Sequence, residues 1–224
     1  ATIMTAPSDA PTGNWENSTV QAGMGTNITE TDSVAIGDQA IIQVQASGLE
    51  GLLEYEASDD PGMLLEAGTG EGGADTATNG NSPIKASLDD TLNLSVKQTN
   101  PGQNKDPKFL DLSQQNTNGV EDAENDTYYF VVNTDKDLIA GGQSVEDGDQ
   151  WKANFTVQAD SALATQDESE SVTKDFETVD PELNFDTNAD DEIEVQNIAG
   201  ATITGDSNVA PGSNVSVTVE SNDE

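Results

Sequence analysis

Apolar and polar residues alternate with a period of two along several short stretches of this chain. In the clearest one, Trp151-Lys152-Ala153-Asn154-Phe155-Thr156-Val157, every second residue is apolar and the residues between them are polar. This is the period of a β-strand with one buried and one solvated face. The same reasoning predicts further strands at 39–46, 92–97, 128–132, 172–176, 192–195, 201–204 and 214–219.

Turn signals separate these stretches, and no amphipathic helix of ordinary length lies between them. Examples are Asp60-Pro61-Gly62, Asn100-Pro101-Gly102, Asn118-Gly119 and Ala210-Pro211-Gly212. Short strands with regular turns and no crossover helices favour an antiparallel sandwich. The predicted fold class is therefore all-β, with antiparallel β-sandwich domains.

The charge balance indicates the solvent in which such a sandwich would fold. The chain has 224 residues, with 43 Asp and Glu against 7 lysines, no arginine and a formal net charge of −36. So acidic a composition is also found in disordered chains, but disorder does not predict strand periodicity. In molar salt the Debye length falls to about 3 Å and the self-repulsion is largely screened. We therefore expect a folded protein of a halophilic organism.

The composition excludes several classes of function. Nucleic acids and anionic membranes attract clustered Lys and Arg, so neither is an expected partner. Without His or Cys there is no imidazole base, thiolate nucleophile or ordinary zinc site. Two carboxylates would suffice for a glycosidase, but aromatic residues to stack on sugars are few, and Trp151 already faces a predicted core. We expect no catalytic residues and no enzymatic activity.

The strand rhythm breaks at Val179-Asp180-Pro181-Glu182. We therefore expect an N-terminal segment over 1–32, an immunoglobulin-like β-sandwich over 33–182, and a second such domain beginning at 183. The about forty residues over 183–224 are too few for an immunoglobulin-like domain of about 100 residues. The second domain is thus expected to be incomplete and the chain to be part of a longer protein. No stretch is long enough to span a bilayer, so a membrane anchor would lie elsewhere.

Six sequons of the form Asn-x-Ser/Thr are candidate sites of N-linked glycans. A chain this rich in Asn, Ser and Thr would contain several by chance, so their positions carry more weight than their number. Three of them fall on the polar face of a predicted strand, where an attached glycan would point outward. An acidic chain with sequons and no Cys indicates a prokaryotic cell surface, because secreted eukaryotic glycoproteins usually carry disulfides. The predicted sites are Asn17, Asn27, Asn93, Asn125, Asn154 and Asn214.

One acidic cluster has the spacing of a cation-binding loop. Residues 186–190 follow the D-x-N-x-D pattern, which places oxygen ligands on one side of a turn. It is not an EF-hand, because Asp191 stands where Gly is needed and Asn197 where a bidentate Glu should be. Its place at the predicted joint suits a structural Ca²⁺ or Mg²⁺, although a solvated acidic linker remains an alternative. The predicted ligands are Asp180, Asp186, Asn188, Asp190, Asp191 and Glu192, with weaker candidates at 121–126 and 147–149.

Three stretches resemble the surface-layer (S-layer) glycoproteins of haloarchaea, which are built from tandem immunoglobulin-like domains. Gly148–Val157 is similar to that family's recurrent GD-x-(Y/W)-x-A-x-F-T-V strand. Residues 203–217 are similar to its G-x-(S/T)-N-V-A-P-G-(S/T) segment, and 33–40 with 46–51 look like the opening of a family domain. These are motifs of fold and turn, and none is a catalytic signature.

The resemblance implies a structural protein located outside the cell, at its surface. It would be exported, N-glycosylated and self-assembled with other copies into a two-dimensional lattice that divalent cations support. It would reach the membrane through an anchor in a C-terminal part beyond this chain. An adhesin, pilus-like or viral spike protein of a halophilic organism would have the same composition and remains the alternative.

The net charge predicts a steep dependence of stability on salt. We expect the melting temperature to fall as KCl is lowered from molar to about 0.1 M, where the Debye length grows to about 10 Å and the repulsion is restored. Thermal unfolding followed by circular dichroism would measure this fall. Equal melting temperatures at the two salt concentrations would contradict the prediction.

Overall fold

The computed structural model describes residues 1–10, 15–51, 91–112, 116–135, 143–159, 168–190, 192–195 and 198–218. These residues form eleven strands and one short helix. In chain order the elements are β1 (Thr2–Ala6), α1 (Asn17–Gly23), β2 (Thr29–Glu30), β3 (Ser33–Ala35), β4 (Gln39–Gln45), β5 (Leu92–Gln98), β6 (Thr117–Asp122), β7 (Thr127–Asn133), β8 (Asp149–Val157), β9 (Glu170–Val179), β10 (Leu183–Phe185) and β11 (Gly205–Ser207).

Two sheets face each other, and neither closes into a barrel. One has five strands in the order β2-β1-β4-β7-β6, and the other has four in the order β3-β9-β8-β5. Neighbouring strands are antiparallel except for the parallel pair β3 and β9. The prediction of an all-β antiparallel sandwich is confirmed. None of the helical residues in the described part of the chain forms a segment long and apolar enough to cross a membrane.

The alternation of apolar and polar residues along β8 matches the buried and exposed faces of its sheet. Trp151, Ala153 and Phe155 are buried, whereas Lys152 between them is exposed. The neighbouring strand β5 repeats the pattern with buried Leu92, Leu94 and Val96 opposite Val157, Phe155 and Ala153 of β8. The period of two therefore correctly predicts both strands and which of their side chains are buried.

The main core fills the space between the two sheets. The ring centroids of Phe130 on β7 and Phe155 on β8 lie 6.5 Å apart across this layer. Trp151 is fully buried, and its indole Nε1–H donates a hydrogen bond to the Thr178 hydroxyl at 3.1 Å. Other members of this core include Ile3, Val34, Ile42, Val44, Leu92, Leu94, Tyr128, Val132 and Phe176.

A second core lies on the other side of the five-stranded sheet, so β7 is buried on both faces. Its residues Tyr129 and Val131 pack in this outer layer, while Tyr128 and Phe130 face the main core. Helix α1 covers the layer with Val20. The expectation that 128–132 would have one solvated face is corrected here, whereas α1 is shorter than the helices of ordinary length that the sequence was expected to lack. A seven-residue helix is too short for a clear 3.6-residue pattern, and packing on the sheet stabilises it.

Two strands from the first 30 residues belong to the five-stranded sheet. Strand β1 pairs with β4 along its whole length, and β2 pairs with β1. These strands lie within the segment 1–32, which the sequence placed ahead of the sandwich. Buried Ile3 in the main core and Met4 in the outer one explain why this segment is held in the sheet.

The chain after residue 182 contains less regular structure than the pattern predicted. Strands β10 and β11 pair with each other, whereas 192–195, 201–204 and the described part of 214–219 are not strands. Val215 and Val217 are each 51% exposed, so their alternation buries no face here. Asn118-Gly119, predicted as a turn, lies inside β6, because cross-strand pairing with β7 overrides the local turn preference.

The substitution Trp151→Ala tests how far the sandwich depends on its largest core residue. We expect the free energy of unfolding to fall by about 3–5 kcal/mol, because a fully buried indole is removed and a cavity remains. Urea titration in molar KCl measures it without changing the ionic strength. The control Thr173→Ala removes an exposed residue of the neighbouring strand and should act within about 0.5 kcal/mol. Equal midpoints for the two variants would show that the indole is not a major contributor.

Candidate functional site

Two of the predicted glycosylation sites lie side by side on the outer face of the four-stranded sheet. Asn93 is on the edge strand β5 and Asn154 on the neighbouring strand β8. The register pairs Asn93 with Thr156 and Asn154 with Ser95. Each sequon thus places its asparagine opposite the hydroxyl residue of the other.

The environment of this pair is polar and uncharged. The Asn154 Nδ2 donates a hydrogen bond to the Thr156 hydroxyl at 3.2 Å. On β9, Thr173 lies opposite Asn154 and Ser171 lies opposite Thr156. In a protein of net charge −36 this amide and hydroxyl patch is unusual, and it is accessible to solvent on its outer side.

The other four sequons lie outside the sheet ladders or at their ends. Asn125 is exposed in the turn between β6 and β7, and its Nδ2 donates to the Asp122 carboxylate at 2.8 Å. Asn17 begins α1, and Asn27 lies in the loop that leads to β2. Asn214 is exposed but is not on a strand, which corrects that part of the prediction.

Among the predicted cation ligands, Asn188 uses its side-chain amide to bind the backbone of the same loop. The Asn188 Oδ1 accepts hydrogen bonds from the N–H groups of Asp190 at 2.9 Å and Glu192 at 3.0 Å. Its Nδ2 donates to the Glu194 carboxylate at 3.1 Å. The D-x-N-x-D spacing is therefore explained here by an Asx turn, whose amide oxygen faces the chain itself.

The remaining predicted ligands do not converge on one point in the described residues. The Asp186 carboxylate accepts a hydrogen bond from the Thr204 hydroxyl, and Asp180 hydrogen-bonds through its backbone to Asp147 and Asn208. Asp191 lies outside the described residues. Within the described residues, no group of three or more acidic side chains is arranged to hold a metal ion. A divalent cation at this loop stays a prediction.

A buried carboxylate joins the sandwich to the segment after β11. Asp38 is 5% exposed, and its Oδ2 accepts the N–H of Ala210 at 2.6 Å. Its Oδ1 accepts the Ser213 hydroxyl at 3.3 Å. Burial raises the pKa of Asp38 above its ordinary value of 3.8, and the hydrogen bonds from Ala210 and Ser213 oppose the rise. Asp38 thus holds the turn Ala210-Pro211-Gly212-Ser213 against the sandwich.

Two other buried carboxylates hold parts of the chain together in the same way. Asp122, 3% exposed, accepts hydrogen bonds from Gln21 of α1 and from Asn125. Asp149 accepts from Lys108 Nζ at 2.8 Å and Gln98 Nε2 at 2.6 Å. Both belong to the weaker cation candidates, and both carboxylates already have partners within the protein.

A cleft of about 490 Å³ lies beside the contact between Asp38 and the turn at 210–213, which we call the Asp38 joint. Its walls include Ile36 and Gly37 from the sandwich and Leu183 and Val215 from the later segment. Asn214 also lines it, and its Nδ2 donates to the Asp9 carboxylate at 2.7 Å. Asp38 was missed in the sequence, because nothing local links it to Ala210, 172 positions away.

The known proteins that this chain is similar to are surface proteins of halophilic archaea. A cell surface glycoprotein of Haloferax gibbonsii is 36% identical over 204 residues, which are 87% of this chain and 20% of that protein. Cell surface glycoproteins 2 and 1 of Haloarcula hispanica are 32% and 29% identical, over 98% and 96% of this chain and 23% of each protein. The chain belongs to the haloarchaeal cell surface glycoprotein family.

The relationship confirms the family suggested by the sequence motifs and places this protein outside the cell, at its surface. The chain spans about a fifth of the length of the curated relatives that it matches. No protein-family model matches it. No solved structure matches it.

The joint of this surface glycoprotein should respond to pH through Asp38. Because burial raises its pKa in the folded state, Asp38 contributes stability at low pH that is lost as the pH rises from 3.8 through the raised value. Asp38→Asn keeps an acceptor for the Ala210 N–H without the buried charge. Its free energy of unfolding should therefore rise relative to the original protein across this pH window and then level off. Urea titrations in molar KCl over a pH series measure the difference.

The companion variant Asp38→Ala removes the acceptor itself. Relative to Asp38→Asn, it leaves the buried Ala210 N–H unpaired and should cost about 1–3 kcal/mol at every pH. A difference between Asp38→Asn and the original protein that does not vary with pH would contradict the assignment.

Proposed function

We propose that this chain is a structural part of a surface layer, in which copies of the glycoprotein assemble into a two-dimensional lattice around the cell. The observation that carries the proposal is its similarity, over most of its length, to cell surface glycoproteins of haloarchaea. The sandwich supplies a rigid unit, and the Asp38 joint fixes the chain that follows it. No reaction is part of the proposal, so the protein would not be an enzyme.

The distribution of cations on the sandwich supports contacts between copies. The described lysines all lie on the four-stranded sheet or in the loop after β5. Lys97 and Lys152 are directly opposite each other on the outer face, at the other end of the strands from Asn93. Lys97 Nζ lies 5.5 Å from the Phe109 ring centroid, and Lys152 pairs with Asp175 at 3.4 Å. This end of the face would repel an acidic neighbour less than the rest of the surface.

Divalent cations would offset the repulsion between carboxylates of adjacent copies. Asp190 and Glu192 are exposed, and the Asx turn at Asn188 holds their backbone in a defined loop. In this proposal the loop supplies part of a Ca²⁺ or Mg²⁺ coordination sphere, and a neighbouring copy or solvent supplies the rest. Oxygen ligands in flexible number suit Ca²⁺ in particular.

Electron microscopy of the full-length protein in molar salt tests the assembly. Calcium is varied in tenfold steps, from about micromolar to millimolar, and then removed with a chelator. We expect a two-dimensional array that dissolves when calcium is removed. Isolated particles at every calcium concentration would overturn the lattice proposal and favour an adhesin, pilus-like or spike protein.

A pair of variants separates a specific cation site from general screening. Asp186→Asn with Asp190→Asn removes two charges from the loop, and Asp106→Asn with Glu168→Gln removes two exposed charges elsewhere. If the loop binds calcium, the first pair should raise the calcium needed for assembly by on the order of tenfold. The second pair should leave it nearly unchanged. Equal shifts for the two pairs would reduce the role of calcium to screening.

A further inference from the structure

We propose that Asn93 and Asn154 accept glycans only before the four-stranded sheet forms, whereas Asn214 remains open to modification in the folded protein. The inference rests on the glycosylation of the surface glycoprotein in the proposed function. It separates these three sequons into two classes by the structure around each acceptor.

The middle residue of each of the two strand sequons, at Asn93 and Asn154, belongs to the core. Leu94 is fully buried and Phe155 is 4% exposed, and both belong to the main core. A modifying enzyme must bind the acceptor together with the Ser or Thr two positions later, so the three residues must leave the sheet as a unit. In the folded protein this would expose Leu94 or Phe155 to water.

The backbone hydrogen bonds of the two strands also hold these sequons in the sheet. Strand β8 is paired with β5 on one side and with β9 on the other, and the pairing runs through Asn154 on both sides. Releasing the Asn154 sequon therefore breaks two ladders, and releasing the Asn93 sequon breaks the ladder to β8. Opening of a core strand of this kind has a free energy close to that of global unfolding.

The sequon at Asn214 has no such protection. Asn214 and its neighbours Val215 and Ser216 are exposed and lie outside any strand. The Asn214 side chain donates one hydrogen bond, to the Asp9 carboxylate, which local motion can break. The Asn125 sequon differs, because its Thr127 is 5% exposed and is paired on both sides at the start of β7.

The order in which the strands are synthesised predicts different glycan occupancy at Asn93 and Asn154. Asn93 has no strand partner until residue 157 has been made, 157 − 93 = 64 residues later. Asn154 follows its partner β5, and its second partner is complete at residue 179, 179 − 154 = 25 residues later. At a synthesis rate of about 5–20 residues per second these intervals are about 3–13 s and about 1–5 s. Asn93 should therefore be modified at least as often as Asn154.

The test uses full-length protein made without glycans and folded in molar KCl. It is incubated with membranes of a haloarchaeon that makes a cell surface glycoprotein, such as Haloferax gibbonsii. Mass spectrometry of peptides then measures the occupancy of each sequon. We expect modification at Asn214, and occupancy at Asn93 and Asn154 at least about 100-fold lower, since opening requires unfolding.

Two destabilised variants are compared with the original protein in the same experiment. Trp151→Ala lies near the pair on β8, and Ile42→Ala lies in the core side of the opposite sheet, away from both sequons. Both should raise occupancy at Asn93 and Asn154 in proportion to their unfolded fraction and leave Asn214 unchanged. Thr173→Ala, which is exposed on β9, should behave like the original protein. Thr156→Ala, which destroys the Asn154 sequon, identifies the signal from Asn154.

Comparable occupancy at Asn154 and Asn214 on the folded protein would overturn the inference. So would an unfolded variant that is modified at Asn214 but not at Asn93 and Asn154. If no sequon is modified on either form, the inference and the glycosylation in the proposed function both fail. Lattice formation is assessed separately, by the micrographs.

Discussion

The apolar layer between the two sheets opposes the mutual repulsion of 36 net negative charges, and the rest of the structure depends on it. Alternation over 92–97 of β5 and 151–157 of β8 sends the polar side chains of these stretches outward, so the layer contains aromatic and aliphatic residues such as Phe130 and Phe155. The repulsion is therefore confined to the solvated surface, where salt screens it. High salt and the strand period together allow a chain of this composition to fold.

Carboxylates that do enter the interior are matched to donors that come from distant parts of the chain. Asp38 binds the turn at Ala210, Asp122 binds α1 through Gln21, and Asp149 binds Lys108. Each position would be costly if its partner were removed, because a buried charge without donors is strongly unfavourable. The acidity of this protein is thus used in two ways, as a solvated surface and as a small set of internal connections between chain segments.

Much of the sandwich could be predicted from the sequence, because the period of two is a local property that assigns the faces of β5, β8 and β9. The two-sided burial of β7 could not, since it depends on α1 folding back from a site more than a hundred residues earlier. The acidic loop shows a different limit. The spacing around Asn188 suits a cation ligand and an Asx turn equally, and only the structure shows which groups its amide oxygen faces. Asp38 had no sequence signal, because its partner lies across the joint.

The parallel pair of β3 and β9 has a mechanical consequence. Strand β3 leads back toward the N-terminus, and β9 leads forward into the chain beyond Asp180. Tension between the chain before β3 and the chain after β9 would pull these neighbouring strands in opposite directions along their length. The bonds from Ile36 N–H to the Val179 carbonyl and from Glu177 N–H to the Asp32 carbonyl would then be loaded together, in shear, rather than one after another. In the proposed surface layer, this single reversal of strand direction would add resistance to extension.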